Sequence, residues 1–274
     1  MSRPPTLFGP RERLTATSRP PLLGACLETC LRAAGPIGRL LAHAARAALA
    51  LDRCAACHGL REPQGHALLC ASCARELAPR LAGYCPGCGA QHALEDALPH
   101  LCGECLREPR PWDSLIFHGP YRGRLKELLR AFKFNQGLGH AKLLQELAVK
   151  AFALRGPDLP DILTPVPLHP RRLAWRGYNQ SLELARGLSR EIGRPVAHSA
   201  LIRIRHTPPQ ASLDAKARRI NLLGAFRADP GQVEGRRVLL VDDIMTTGAT
   251  IEQCALVLKA AGAARVDVLV IARA

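Results

Sequence analysis

From Gly119 onward the apolar positions of the chain switch repeatedly between two periods. Over 122–135, 138–154, 180–192 and 247–261 they recur every three or four residues, which predicts helices. Between and after these lie short, largely apolar stretches at 161–168, 237–241 and 265–271, the first bounded by prolines, which predict strands. Strands that alternate with helices imply a mostly parallel sheet covered on both faces, an α/β fold.

Upstream the pattern changes character. Residues 1–21 are rich in Pro and Arg and carry too little apolar surface to order by themselves. From 22 to 51, Leu27, Leu31, Leu40, Leu41, Ala44, Ala48 and Leu51 fall at helical spacing, and Gly35, Pro36 and Gly38 are expected to break the stretch into two helices. These helices read as packing elements leading into the next module, with a membrane-surface or partner helix as the alternative. Residues 52–108 show neither period, and 109–113 form a Pro-containing joint. The expected organisation is an N-terminal tail with helices over 1–51, a cysteine-rich module over 52–108, and the α/β domain over 113–274. No uninterrupted run of 18 apolar residues occurs, so no membrane span is expected. The opening Met-Ser-Arg-Pro-Pro lacks a secretory pattern, which points to the cytoplasm.

Composition adds a constraint on partners. The 274 residues carry a formal net charge of +15, which favours an anionic partner such as nucleic acid or a phosphorylated metabolite. Aromatics are only 4%, so Leu, Val, Ile and Ala must fill the core, and a broad base-stacking platform is disfavoured.

Eight of the 11 cysteines form four Cys-x-x-Cys pairs: Cys54/Cys57, Cys70/Cys73, Cys85/Cys88 and Cys102/Cys105. A two-residue gap lets both thiolates turn toward one ion, and two such pairs complete a tetrahedron of sulfur suited to structural Zn²⁺. So short a module with few large apolar side chains needs the folding energy that metal supplies. Four thiolates leave no open position, which argues against a catalytic zinc. Sequential pairing, 54/57/70/73 and 85/88/102/105, is the arrangement expected here; an interleaved one is the alternative, as are redox-active pairs or an iron–sulfur cluster. Cys254, mid-helix, reads as a small buried apolar residue.

The run 238–250, Val-Leu-Leu-Val-Asp-Asp-Ile-Met-Thr-Thr-Gly-Ala-Thr, carries the clearest chemistry. A strand ends in Asp242 and Asp243, and Thr246, Thr247, Gly248, Ala249 and Thr250 then open a helix. Ligands of open α/β sheets gather at the carboxyl ends of strands. A helix start offers free N–H groups and a partial positive charge to a phosphate. Two acids beside a phosphate cradle make sense if they accept hydrogen bonds from hydroxyls of the same ligand. A ribose 5-phosphate has both features. Pro165, Val166 and Pro167 end the first strand at the same sheet edge and lead to a cationic cluster, Arg171, Arg172 and Arg176, followed by Asn179 and Gln180, able to hold pyrophosphate. The polar stretch 203–221, with Arg203, Gln210, Arg218, Arg219 and Asn221, reads as a mobile lid.

Taken in order, the paired cysteines, Phe132-Lys133-Phe134, Pro165-Val166-Pro167-Leu168, Arg176-Gly177-Tyr178-Asn179-Gln180, Gln210 with Arg219 and Asn221, and the acid-acid-to-Thr250 loop resemble the ComF family over about 52–274. The loop alone is shared with type I phosphoribosyltransferases. The resemblance implies a type I phosphoribosyltransferase-like parallel sheet flanked by helices and preceded by a small double zinc ribbon. It implies a site for phosphoribosyl pyrophosphate (PRPP) with Mg²⁺, in which Asp242 and Asp243 take the ribose hydroxyls and act in catalysis if the chain turns over. Residues 246–250 would take the 5-phosphate, and Pro165, Val166, Pro167, Arg176, Asn179, Gln180 and Arg219 the rest. It also implies a role in DNA uptake, with single-stranded DNA and competence proteins as partners. The alternatives are a metabolic phosphoribosyltransferase acting on a nucleobase-like acceptor and a nucleotide sensor without turnover.

Overall fold

The computed structural model describes residues 53–61, 68–134, 138–206 and 220–274, with positions 35, 36, 38, 40, 41, 44 and 45. The chain divides into two compact units, Met1–Asp52 and Arg53–Ala274. In the first, Gly35 is not helical while positions 36, 38, 40, 41, 44 and 45 are, so a helix begins at the Gly35–Pro36 step and includes Gly38. A proline fits the first turn of a helix, where its missing N–H costs nothing. The expected tail, the stretch 22–34, Cys26 and Cys30 lie outside the described residues.

The second unit is built on a four-stranded, all-parallel sheet. Its strands are β1 (Ser114–Pro120), β2 (Ile162–Pro165), β5 (Arg237–Met245) and β6 (Arg265–Arg273), in the order β1–β6–β5–β2. Leu163 also bridges Val196 in parallel, extending the edge beyond β2. Between β2 and β5 a separate antiparallel hairpin pairs β3 (Leu201–Arg203) with β4 (Phe226–Ala228). Successive side chains along the central strands divide between two cores, as the pleat requires. Leu239, Val241, Leu269 and Ile271 face helices α3 (Gly123–Phe134), α4 (Ala141–Arg155) and α6 (Gln180–Ile192). Val238, Leu240, Val268 and Val270 face α8 (Ala249–Ala260) and the hairpin. Cys254 is buried in that second core, as its apolar surroundings on α8 led one to expect.

The two longest helices and the two C-terminal strands stand close to where periodicity put them. Four differences have identifiable causes. No strand is expected over β1, because His118, Gly119 and Pro120 interrupt its apolar run. β2 stops at Pro165, since Val166 and Pro167 continue as loop. β5 does not stop at Val241 but runs through both acids to Met245, because β6 pairs with it up to Arg273. Finally, the basic segment after β2 contains a short helix, α5 (Pro170–Arg176), capped by the His169 side chain and ended by Gly177 at φ 82°. Its prolines look like loop signals, yet Pro170 sits in the first turn, where it belongs.

The cysteine-rich segment, with its short helices α1 (Ala71–Glu76) and α2 (Gly103–Arg107), packs onto the β1 side of the sheet. The Tyr84 ring meets Phe117 edge-on at 5.0 Å, and the Arg155 guanidinium lies over both rings at 4.9 and 4.6 Å. His118 Nε2 stands 2.8 Å from the Leu77 carbonyl oxygen. Burial, the largest cause, with Lys150 and Arg155 nearby, holds the His118 imidazole down at about 4, so it is neutral at pH 7. Among the described residues no helix is long and apolar enough to cross a membrane.

Candidate functional site

The carboxyl edge of the sheet opens into a cleft of about 310 Å³. Its floor is the end of β5, and the backbone N–H of Val166 donates to the Val241 carbonyl at 2.9 Å, drawing the 165–168 loop against it. Asp242 Oδ1 accepts from the Ser181 hydroxyl at 2.7 Å and from the Asp243 N–H at 2.9 Å. Burial first, and the charge of Asp243 second, raise the Asp242 carboxyl from 3.8 to about 7, with the Ser181 bond opposing them. Asp243 is buried, its Oδ2 3.6 Å from Lys133 Nζ and without a hydrogen-bond partner. Gln180 Nε2, in the same cleft lining, also lacks one. Buried polar groups are normally satisfied, so such atoms at a cleft mark a place for a polar ligand.

After Met245 the chain turns through Thr246 and Thr247 into α8. Gly248, at φ 84°, is the residue before the helix and supplies no side-chain cap. A left-handed backbone here suits glycine, and apart from a long bond from the Ala249 N–H to Thr247 Oγ1 at 3.5 Å the helix start has no side-chain cap. Thr246, Thr247, Gly248, Ala249 and Thr250 all line one small recess of about 40 Å³ that adjoins the cleft through Asp242, Thr246 and Thr250. Opposite stand cations: Lys133, Arg172, Arg176 and Arg203 line the cleft against only two carboxylates. Arg176 Nη1 donates to Gln180 Oε1 at 3.0 Å, fixing the side chain that carries the unpaired amide.

The expected site residues therefore fall into three groups. Asp242, Asp243, Thr246, Thr250, Val166, Pro167, Arg176 and Gln180 line the cleft, with Thr247, Gly248 and Ala249 in its recess. Pro165 and Asn179 stand behind the wall: Asn179 caps α6 at Ser181 N and donates from Nδ2 to the Val166 carbonyl at 3.0 Å, so it holds the loop. Arg219, with Gln210 and Arg218, lies outside the described residues. Arg203, expected in a lid, is instead buried in β3, its guanidinium 5.4 Å from the Phe226 ring centre. Sequence reasoning left out Lys133, Tyr121 and Ser181 from the site, and it included Arg172 in the cationic cluster that the cleft shows. Lys133 ends a helix more than a hundred residues before its partner, and only the tertiary fold brings them together; Ser181 could have been found, since it follows Gln180 at a helix start.

Two metal centres are laid out beside this domain. The Sγ atoms of Cys54, Cys57, Cys70 and Cys73, and those of Cys85, Cys88, Cys102 and Cys105, lie within 4.8 Å of one another in each set. Either set could hold a zinc ion in the sequential pairing, and the donor chemistry of four thiolates fits it. Each set joins a tight turn to a helix start, with Cys70 and Cys102 preceding α1 and α2. In the first turn His58 occupies the left-handed position (φ 59°) that Gly89 (φ 70°) fills in the second.

The second centre is tied to the phosphate-type loop. Arg273 Nε donates to the Cys88 carbonyl at 2.6 Å, and its Nη1 donates to the Thr246 carbonyl. Trp112 Nε1 donates to the Gly87 carbonyl at 2.9 Å, and its ring edge lies against Gly248.

The phosphoribosyl transferase domain family model matches residues 178–274. The chain is 38% identical to the DNA utilization protein YhgH of Escherichia coli O157:H7, over 76% of this chain and 92% of that one. It is 35% identical to Competence protein F of Haemophilus influenzae, over 75% and 90%, and 30% identical to Competence protein ComFC of Bacillus subtilis, over 67% and 74%.

Proposed function

The chain belongs to the ComF family of competence and DNA-utilization proteins, and on that premise we propose that its cleft binds PRPP as the Mg²⁺ complex, in a cytoplasmic protein that acts on incoming single-stranded DNA. The observation that carries the reading is the joining of three features at one sheet edge. The 246–250 recess meets an uncapped helix start, two carboxylates stand beside it, and a wall of cations faces both. The recess takes the 5-phosphate through backbone N–H groups and threonine hydroxyls. Asp242 and Asp243 accept from the ribose hydroxyls, which supplies Asp243 Oδ2 with the donor it lacks. Lys133, Arg172 and Arg176 attract the pyrophosphate. Mg²⁺ arrives as part of the substrate and lowers the cost of charge building on pyrophosphate as it leaves.

Any turnover is displacement at the anomeric carbon. An acceptor forms the new bond to that carbon, the carbon–oxygen bond to pyrophosphate breaks, and the electron pair leaves with pyrophosphate. The residues contribute by orienting the sugar and offsetting charge. The basic balance of the whole chain supports a role on DNA. The cysteine tetrads, loaded with zinc, hold the ribbon that buttresses β1 and the loop.

A metabolic phosphoribosyltransferase is the second reading. It is favoured by a neighbouring, mainly apolar recess of about 460 Å³ that shares Pro167, Leu168 and Arg203 with the cleft and could seat a flat acceptor. Pyrophosphate release from MgPRPP separates the two readings. Release stimulated by single-stranded DNA supports the first; release that requires a free nucleobase and ignores DNA supports the second.

A further inference from the structure

Helix α5 divides its side chains between two environments. Arg172 and Arg176, one turn apart, are half-buried and line the cleft. Arg171 and Trp175, also one turn apart, are exposed. Trp175 is 74% exposed, in a chain with only 2 tryptophans; the other, Trp112, is 7% exposed and donates to a backbone carbonyl. A large aromatic ring left in water next to a binding cleft is costly to keep unless something covers it.

Along the chain, the charge on either side of this helix is of one sign. No Asp or Glu occurs between Asp161 and Glu183 or between Glu191 and Asp214. These are the stretches that carry β2, α5 and β3. Arg203 and Arg205 add two further cations from the β3 segment, and the His169 and His206 rings meet at 4.9 Å. Arg205 is exposed and donates from Nη2 to the Asn221 carbonyl at 2.8 Å, which holds its side chain in place. A protein partner with an apolar surface would leave these cations uncompensated. A polyanion with flat, unpaired rings satisfies both requirements, since bases stack on aromatic faces while phosphates meet arginines. A duplex does not, because its bases are already stacked.

We propose that the outer face of α5 seats a single nucleic-acid strand, one unpaired base stacked on the Trp175 indole and the adjoining phosphates held by Arg171 and Arg205, so that the strand passes the mouth of the sugar-phosphate cleft. This rests on the DNA reading given above and assigns it a place. Because Arg172 and Arg176 belong to the same short helix, a strand on the outer face and a pyrophosphate in the cleft meet opposite sides of one element.

Trp175 reports on its own contact. Titrating the full zinc-loaded chain with an oligodeoxythymidylate at low salt should quench tryptophan emission, with a midpoint that shifts to higher concentration as salt rises. Trp175→Ala should weaken oligonucleotide binding, followed by anisotropy of a labelled strand, by roughly tenfold or more, Trp175→Phe should recover most of it, and MgPRPP affinity should stay the same in both. If Trp175→Ala binds the oligonucleotide as tightly as the wild type, the α5 face is the wrong place, and the DNA reading stands without it. If the wild-type chain does not bind the oligonucleotide at all, the DNA reading fails and takes this assignment with it. Quenching by anionic vesicles but not by the oligonucleotide also overturns the proposal.

Discussion

The Asp242 carboxyl stores free energy that a single substitution should release. Its pKa stands at about 7 against 3.8 for a free side chain, because it is buried next to Asp243. A folded-state pKa raised above the unfolded value means that the folded chain keeps a proton which the unfolded chain gives up. Stability is therefore lost as pH rises from about 4 to about 7, and the loss is complete above that. Three units correspond to about 4 kcal/mol at most; solvent screening at the open cleft reduces this to about 2 kcal/mol. Asp242→Asn keeps an oxygen for Ser181 Oγ and the Asp243 N–H but removes the charge. At pH 8 it should melt about 4–8 °C higher than the wild type, by the usual relation for a unit of this size. At pH 5.5, where only half the loss has accrued, the gain should be about half as large. Thermal unfolding of both proteins at the two pH values checks this. A variant that melts lower at pH 8, or gains as much at pH 5.5, refutes the claim that the acids crowd one another. The same variant should bind MgPRPP more weakly, since the stored repulsion is what the ligand relieves.

Three further outcomes follow from single contacts. His58→Gly replaces a left-handed non-glycine residue with the residue found at the matching turn, Gly89; it should raise the stability of the zinc-loaded protein by up to about 1 kcal/mol in denaturant titration. Cys85→Ser should lower bound zinc from two ions to one by metal analysis and expose the ribbon to proteolysis, whereas a wild type that folds fully without metal contradicts the zinc assignment. Arg273→Ala removes the donor to the Cys88 and Thr246 carbonyls; ribose 5-phosphate affinity by calorimetry should drop about tenfold, the worth of a hydrogen bond from a charged group, with zinc content unchanged. Equal affinity would show that the loop holds its shape without the arginine.

Much of the site could be read in the chain because its chemistry is local. The acids, the threonines and Gly248 follow one another in a single strand–turn–helix segment, and each cysteine pair carries its own geometry. What stayed hidden depends on distance. Lys133 reaches Asp243 only because α3 packs across the sheet, and Arg203 lies at the cleft because a hairpin carries it there. Asn179, expected at the ligand, spends its side chain on the loop and the helix start, and a residue that caps a helix and one that touches a ligand have the same side-chain chemistry. β1 escaped because its buried histidine and its Gly-Pro end break the apolar run that marks a strand. In the structure His118 Nε2 meets the carbonyl of Leu77 in the cysteine-rich segment, a contact no local pattern encodes.

The central claim is that the carboxylates at the end of β5 and the recess at the start of α8 grip the two ends of one phosphoribosyl group. Calorimetric titration of MgPRPP into the wild type and into the Asp242→Asn/Asp243→Asn double variant tests it directly. The account predicts saturable one-to-one binding to the wild type and a loss of about a hundredfold or more in a variant that still melts cooperatively. Undiminished affinity in that folded variant would contradict it.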